Sequence, residues 1–287
     1  MSNLVLDLSV ATLFSVKGKI ALVTGGGTGI GKAIATALVQ NGAKVYIAAR
    51  KEAQLKETAE ELNKLSPGSV QYFVANIGSK AGCDALIGEI KKRETSLHIL
   101  VNNSGISWGA PYDNFPEEKG WDNVMAVNVK SIFYMTSGLT DLLGKDATPL
   151  DPGRVINISS VASVNPRVEG SVVSASGSGT YSYNVSKAAV NHLTSILAVK
   201  LAPRKITVNA ICPGIFPTKM TAYGFKQAGA DQIASSQPTG RVGIPQDLAG
   251  ISLFLTSPAS SYVTGAHILL DGGATMCRGE VAPQAKL

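Results

Sequence analysis

Thr24-Gly25-Gly26-Gly27-Thr28-Gly29-Ile30-Gly31 follows directly on the apolar run Ile20-Ala21-Leu22-Val23 and leads into a segment of helical period from Lys32 to Asn41. Strand, glycine turn and helix in that order form a phosphate cradle. Glycines let the backbone turn tightly and approach a pyrophosphate, and the helix N-terminus presents free N–H groups and a partial positive charge. The spacing is Gly25-x-x-x-Gly29-x-Gly31, which differs from the G-x-G-x-x-G pattern. A glycine turn alone says little; its place between a first strand and a first helix gives it meaning.

Outward from this turn, apolar β-branched runs alternate with helical segments. The strands expected are 20–24, 45–49, 70–75, 99–102, 155–159, 207–211 and 266–270. Helices are expected over 32–41, 51–65, 80–94, 118–142, 183–201 and 245–255. This rhythm predicts an α/β fold: a doubly wound, seven-stranded, mostly parallel sheet with helices on both faces. Strands covered on both faces read as continuous apolar runs. The 287 residues form one domain in this reading, with an N-terminal arm (1–15), a lid (217–242) and a loosely ordered tail (274–287). A serine- and glycine-rich loop is expected over 164–180.

Composition excludes several classes. A hydrophobic fraction of 45% and a charged fraction of 16% describe a globular chain. No apolar run approaches the roughly eighteen residues of a membrane span, and residues 1–16 lack a secretory signal. The net charge of +6 is dispersed, which argues against nucleic-acid binding. Cys83, Cys212 and Cys277 are scattered and do not cluster with His98, His192 or His267, so neither a disulfide framework nor a zinc site is expected.

The second strand decides between dinucleotides. NAD calls for an acidic residue about 20 positions beyond the glycine turn, whereas an arginine there accommodates the 2′-phosphate of NADP. The chain reads Ala48-Ala49-Arg50-Lys51, with no acid. Arg50 can fork onto a phosphate and Lys51 adds charge. NADP(H) is the expected cofactor.

Tyr183-Asn184-Val185-Ser186-Lys187 opens a helix. Residues four apart share a face, so Tyr183 and Lys187 can point into one site. A tyrosine with pKa near 10 is a poor acid or base at neutrality; a neighbouring ammonium would lower that pKa. Upstream, Asn157-Ile158-Ser159-Ser160 ends a strand, and either serine hydroxyl can hold a substrate oxygen.

In these residues the chain resembles the short-chain dehydrogenase/reductase superfamily, over nearly its whole length. Thr24-Gly25-x-x-x-Gly29-x-Gly31, Asn102-Asn103-Ser104-Gly105, Asn128, Ser160, Tyr183-x-x-x-Lys187 and Pro213-Gly214-Ile215-Phe216-Pro217-Thr218 match in order. The resemblance implies a Rossmann-like fold and an oxidoreductase. It implies Tyr183 as general acid/base and Lys187 as the group that lowers its pKa and binds the nicotinamide ribose. Ser160, favoured over Ser159 because Ser160-Val161-Ala162 fits the family better, would orient the carbonyl oxygen. Asn128 would hold a water linking Lys187 to solvent. Cofactor contacts would come from Gly25, Gly27, Thr28, Gly29, Ile30, Gly31, Arg50, Lys51, Asn76, Ile77, Asn103, Ser104, Gly105, Tyr183, Lys187, Pro213, Gly214, Ile215 and Thr218, with Asn102 also passing the cofactor. Tyr181 lacks a lysine four residues on.

Two departures from the family pattern are small: Ser104 replaces alanine, and Asn76 stands where aspartate is usual. The segment between Ser160 and Tyr183 is about ten residues longer than is common in the family, beside the expected substrate entrance. Within the family the chain looks most like β-ketoacyl reductase-type members, including those of rhamnolipid-precursor synthesis. That implies reduction of a ketone, such as a 3-oxoacyl thioester, by NADPH. The alternatives are an alcohol dehydrogenase, a specialised-metabolite ketone reductase, or a nucleotide-binding regulator that kept the fold. A small-molecule carbonyl substrate, a homotetramer, and no nucleic-acid or membrane partner are expected. The closing Ala285-Lys286-Leu287 resembles a peroxisomal address in a eukaryotic cell; otherwise the cytoplasm is expected.

Overall fold

The computed structural model describes residues 7–169, 175 and 177–277. The seven strands are β1 (Ile20–Thr24), β2 (Lys44–Ala49), β3 (Val70–Val74), β4 (Ile99–Asn102), β5 (Gly153–Ile158), β6 (Ile206–Pro213) and β7 (His267–Leu270). They form one sheet in the order β3-β2-β1-β4-β5-β6-β7. Every neighbouring pair is parallel, so all seven strands point the same way. The order reverses between β1 and β4, which opens a crevice at their carboxyl ends, where open α/β sheets bind ligands.

The apolar runs are buried on both faces. Ala21 and Val23 of β1 join a cluster with Val45 and Ile47 on one side; Leu22 joins Tyr46 and Ala48 on the other. The helices α2 (Gly29–Gln40), α3 (Glu52–Leu65) and α10 (Pro245–Thr256) supply Ile34, Leu55 and Leu255 to the first side. On the second side α4 (Lys80–Arg93), α6 (Ser131–Gly144) and α7 (Tyr181–Leu201) supply Leu86, Met135 and Val190. Burial of this kind contributes about 25 cal/mol per Å² of apolar surface. It fixes the strand ends that carry the site.

Three features differ from the sequence expectation. The helix expected over 118–142 is not regular. Two π-helical turns, Glu117–Asp122 and Ala126–Lys130, bracket the short α5 (Asn123–Met125) before α6 begins. A π turn carries one residue more than an α turn, a displacement that apolar periodicity does not reveal. The N-terminal arm holds a four-residue helix, α1 (Val10–Leu13), capped by Ser9. Its end packs Phe14 against Phe254 of α10 at 6.5 Å between ring centroids. The tail is not loose at its start: Asp271 accepts hydrogen bonds from the Thr275 N–H at 2.8 Å and from the Thr275 hydroxyl. Residues 278–287, including Ala285-Lys286-Leu287, lie outside the described residues.

The expected lid becomes two short helices, α8 (Ala222–Ala228) and α9 (Ala230–Ser235), between β6 and α10.

Candidate active site

Two clefts meet at Tyr183. The first, about 330 Å³, runs from Arg50 at the end of β2 past the glycine turn to Tyr183 and Lys187. The second, about 510 Å³, opens on the other side of Tyr183 between the segment after β5 and the segment after β6. Ile30, Ser159, Tyr183, Thr218 and Met220 line both.

The glycine turn has the shape of an anion cradle. Gly25 and Gly29 have φ of +67° and +54°, a region L side chains rarely enter. Gly31 is needed for a different reason: a Cβ there would lie 2.3 Å from the Gly25 carbonyl oxygen. The α2 N-cap, Thr28, makes no side-chain capping bond, so the first-turn N–H groups face the cleft without an internal acceptor. Asn103 braces the turn. Its amide donates to the Thr24 and Gly25 carbonyls at 2.9 and 3.2 Å, and its N–H donates to Thr24 Oγ1 at 3.0 Å. The charged residues lining this cleft are Arg50, Lys187 and Lys219, all cationic. A backbone cradle at a helix N-terminus within a cationic, elongated cleft fits a phosphorylated dinucleotide.

Tyr183 stands in the first turn of α7, and its phenol lies near enough to the Ser160 hydroxyl for that group to bear on its pKa. Burial raises its pKa above the ordinary tyrosine value, and the Ser160 hydroxyl pulls the other way. Lys187, one turn on, is buried and donates to the Ile158 carbonyl at 2.8 Å. Its ammonium lies 5.6 Å from the Tyr183 ring centroid. Burial lowers the Lys187 pKa from 10.5 to about 8, with nearby Cys212 opposing the change. Burial of the phenolate is the larger influence on Tyr183.

The choice between serines is resolved by their partners. The Ser159 hydroxyl is buried and donates to the Lys187 carbonyl at 3.1 Å. Ser160 faces the second cleft and meets Tyr183. Tyr181 is turned away: its hydroxyl donates to Glu169 at 2.9 Å and its ring packs on Tyr112 and Phe115.

Asn128 is buried and bound by the protein. The π turn directs it inward, where its Oδ1 accepts from the Ile106 N–H at 2.9 Å. Its Nδ2 donates to the Ile106 carbonyl at 2.9 Å and to Ser186 Oγ at 3.0 Å. Ser186 in turn donates to the Tyr183 carbonyl at 2.7 Å. Both amide hydrogens are therefore engaged by the protein, and the side chain clamps the segment after β4 to the catalytic helix.

Of the other expected contacts, Gly25, Thr28, Gly29, Ile30, Arg50, Asn76, Ile77, Asn103, Ser104, Gly105 and Thr218 line the first cleft. Pro213, Gly214 and Ile215 line the second. Gly27 turns from the cleft, its carbonyl accepting from Thr58 Oγ1 at 2.9 Å. Gly31 lies beneath the turn, and Lys51 caps α3 without lining either cleft. Asn102 is buried, donating to Asn157 at 2.9 Å and Thr136 at 3.2 Å. Sequence reasoning missed Lys219, Met220, Arg167, Glu169, Gln237 and Thr275. Only Lys219, beside Thr218 in the sixth motif, carried a local signal.

The fold and this geometry define a dinucleotide-binding oxidoreductase centre, and comparison with known proteins gives the family. Residues 25–275 match the family model described as "Enoyl-(Acyl carrier protein) reductase". The chain is 40% identical to the rhamnolipids biosynthesis 3-oxoacyl-[acyl-carrier-protein] reductase of Pseudomonas aeruginosa, covering 91% of this chain and 97% of that protein. It is 34% identical to the 3-oxoacyl-[acyl-carrier-protein] reductase FabG of Thermotoga maritima, covering 90% and 98%. The structure of the Pseudomonas aeruginosa RhlG/NADP active-site complex superposes with a TM-score of 0.84 at 39% identity, covering 92% of this chain and 98% of that one. The chain belongs to the short-chain dehydrogenase/reductase superfamily.

Proposed function

We propose that this protein uses NADPH to reduce a ketone to a secondary alcohol. The observation that carries the reading is the Ser160–Tyr183 hydroxyl pair at the junction of the two clefts. A carbonyl oxygen in the second cleft can meet both hydroxyls there, while its carbon faces the first. The residues fit NADP(H): Arg50 replaces the acid that NAD calls for, and the cradle at Gly25–Gly31 suits a pyrophosphate. When bound, the nicotinamide supplies the hydride.

The chain's own residues handle the oxygen and the proton. Tyr183 holds its proton before the reaction, and burial of the phenolate opposes its release. Ser160 donates to the carbonyl oxygen and orients it. As the oxygen gains charge, Tyr183 gives up its proton, and the Lys187 ammonium beside the ring stabilises the phenolate left behind. A 3-oxoacyl thioester is the substrate class we favour. Its support is the relatives' activity and the apolar wall of Val161, Ile215, Phe216 and Met220 in the second cleft.

The test is NADPH oxidation against 3-oxoacyl thioesters and simple ketones. The expected result is turnover of at least one, abolished by Tyr183→Phe (on the order of a thousandfold or more) with NADPH affinity preserved. Full activity in Tyr183→Phe would overturn the mechanism.

We also infer a homotetramer. Phe133 of α6 and Val185, Ile196 and Val199 of α7 are exposed, Val199 by 79%, on helices that otherwise pack the core. Sedimentation analysis should give four copies, and Val199→Glu should dissociate them; a monomer at micromolar concentration would refute it.

A further inference from the structure

The segment after Ser160 brings charge to the second cleft. Arg167 and Glu169 are the charged residues that line it; the rest of its wall is apolar or neutral polar. The two differ in their engagement. The Glu169 carboxylate accepts from the Tyr181 hydroxyl, which holds it toward the Tyr112 and Phe115 rings. No carboxylate among the described residues pairs with the Arg167 guanidinium. The Arg167 side chain is exposed and borders the cleft, whereas Lys187 lines the other cleft.

The backbone that presents Arg167 is fixed. Its N–H donates to Asn165 Oδ1 at 3.0 Å. Asn184, the residue after Tyr183, donates its amide to the Asn165 and Arg167 carbonyls at 3.0 and 3.4 Å. The Thr180 N–H donates to the Val168 carbonyl at 3.0 Å. The guanidinium is thus carried on a segment tied to the first turn of the catalytic helix. An arginine so placed can offer a forked pair of donors to a carboxylate or phosphate.

We propose that Arg167 is a specificity residue that receives an anionic group, carboxylate or phosphate, carried by the ketone substrate. The proposal rests on the reading of the chain as an NADPH-dependent ketone reductase. Glu169 works in the opposite sense, since its charge borders the same cleft and opposes an anion. The pair together sets how strongly the enzyme discriminates between anionic and neutral ketones.

The test measures kcat/KM at saturating NADPH for three ketones: acetoacetate, acetoacetyl-CoA and ethyl acetoacetate. They carry the anion as a carboxylate near the ketone, as phosphates far from it, and not at all. In Arg167→Gln the preference for an anionic over the neutral ketone should fall about tenfold, the size of one charge-assisted hydrogen bond at a partly solvated site. The loss should appear as a rise in KM. Arg167→Lys should keep most of the preference, and Glu169→Gln should raise it about twofold to threefold. A fall for acetoacetate alone identifies a carboxylate beside the ketone; a fall for acetoacetyl-CoA alone identifies a remote phosphate. A preference unchanged in Arg167→Gln, with ketones still reduced, overturns this inference and leaves the reductase reading standing. Failure of the unaltered enzyme to reduce any ketone with NADPH removes both.

Discussion

The two clefts that meet at Tyr183 are built from different materials. The dinucleotide side is main chain at the ends of rigid parallel strands, with glycines admitting the ligand to the backbone. The substrate side is residues of a tied loop, of the segments flanking two short helices, and of the turn after β7. Backbone cradles tolerate no added atom, while side-chain walls accept exchange at modest cost. Alterations should therefore act steeply on one side and gently on the other, and act most where the sides join.

Lys187, one turn along α7 from that join, gives the largest expected effect. Lys187→Met should lower kcat about a thousandfold yet raise stability. The fall of its pKa from 10.5 to about 8 corresponds to roughly 3 kcal/mol, offset in part by the lost bond to the Ile158 carbonyl. The sign follows from the depressed value. Below about 8 the lysine is protonated both folded and unfolded, so the folded state bears the full cost of burying the charge. Between about 8 and 10.5 the folded protein sheds its proton first and the cost fades. Denaturant unfolding should show the methionine variant's advantage at pH 7 and its disappearance above 10.5. An advantage independent of pH would contradict the assignment.

Gly31→Ala tests the backbone side. The new Cβ would meet the Gly25 carbonyl oxygen and the Asn103 amide, which lie 2.3 and 2.4 Å from its ideal position. Overpacking against main chain costs about 1–3 kcal/mol, and the distorted cradle should weaken NADPH binding on the order of a hundredfold. Calorimetric titration would show it. Arg50→Gln should weaken NADPH about tenfold with NADH little affected; equal losses for both would deny Arg50 its role at the 2′-phosphate. The smallest effect belongs to the substrate side. Asp271→Ala releases Thr275, which lines the second cleft, and should raise the ketone KM about threefold without changing NADPH affinity.

The same contrast explains what could be read in advance. The strands were legible because burial on both faces makes them continuous apolar runs, and their mostly parallel arrangement followed from helices alternating between them; their order in the sheet came only with the structure. The cradle was legible because glycine has few other reasons to cluster between a strand and a helix. Tyr183, Lys187 and Ser160 were legible through spacing and family resemblance. Asn128 was legible by resemblance, but the π turn that carries it was not, because such a turn leaves the apolar pattern of its helix intact. Gly27, Lys51 and Asn102 share motifs with cleft residues, yet the turn of one peptide or the pleat of one strand directs them elsewhere. The Arg167–Glu169 segment is held by side chains of α7 and Thr275 by Asp271, contacts that leave no periodic trace.

One small contact has a dynamic consequence. Among parallel strands, Ala110 and Gly179 form an antiparallel bridge, with the Gly179 N–H donating to Ala110 at 2.9 Å and the Ala110 N–H to Gly179 at 3.3 Å. It joins the segment leaving β4, at the cofactor's edge, to the residue two before α7. The two segments thus form one cooperative unit, and their amides should exchange with solvent at a common rate. Ordering of either segment by a ligand then lowers the entropic cost of ordering the other, so filling one cleft stiffens the helix that carries Tyr183 before the second ligand arrives.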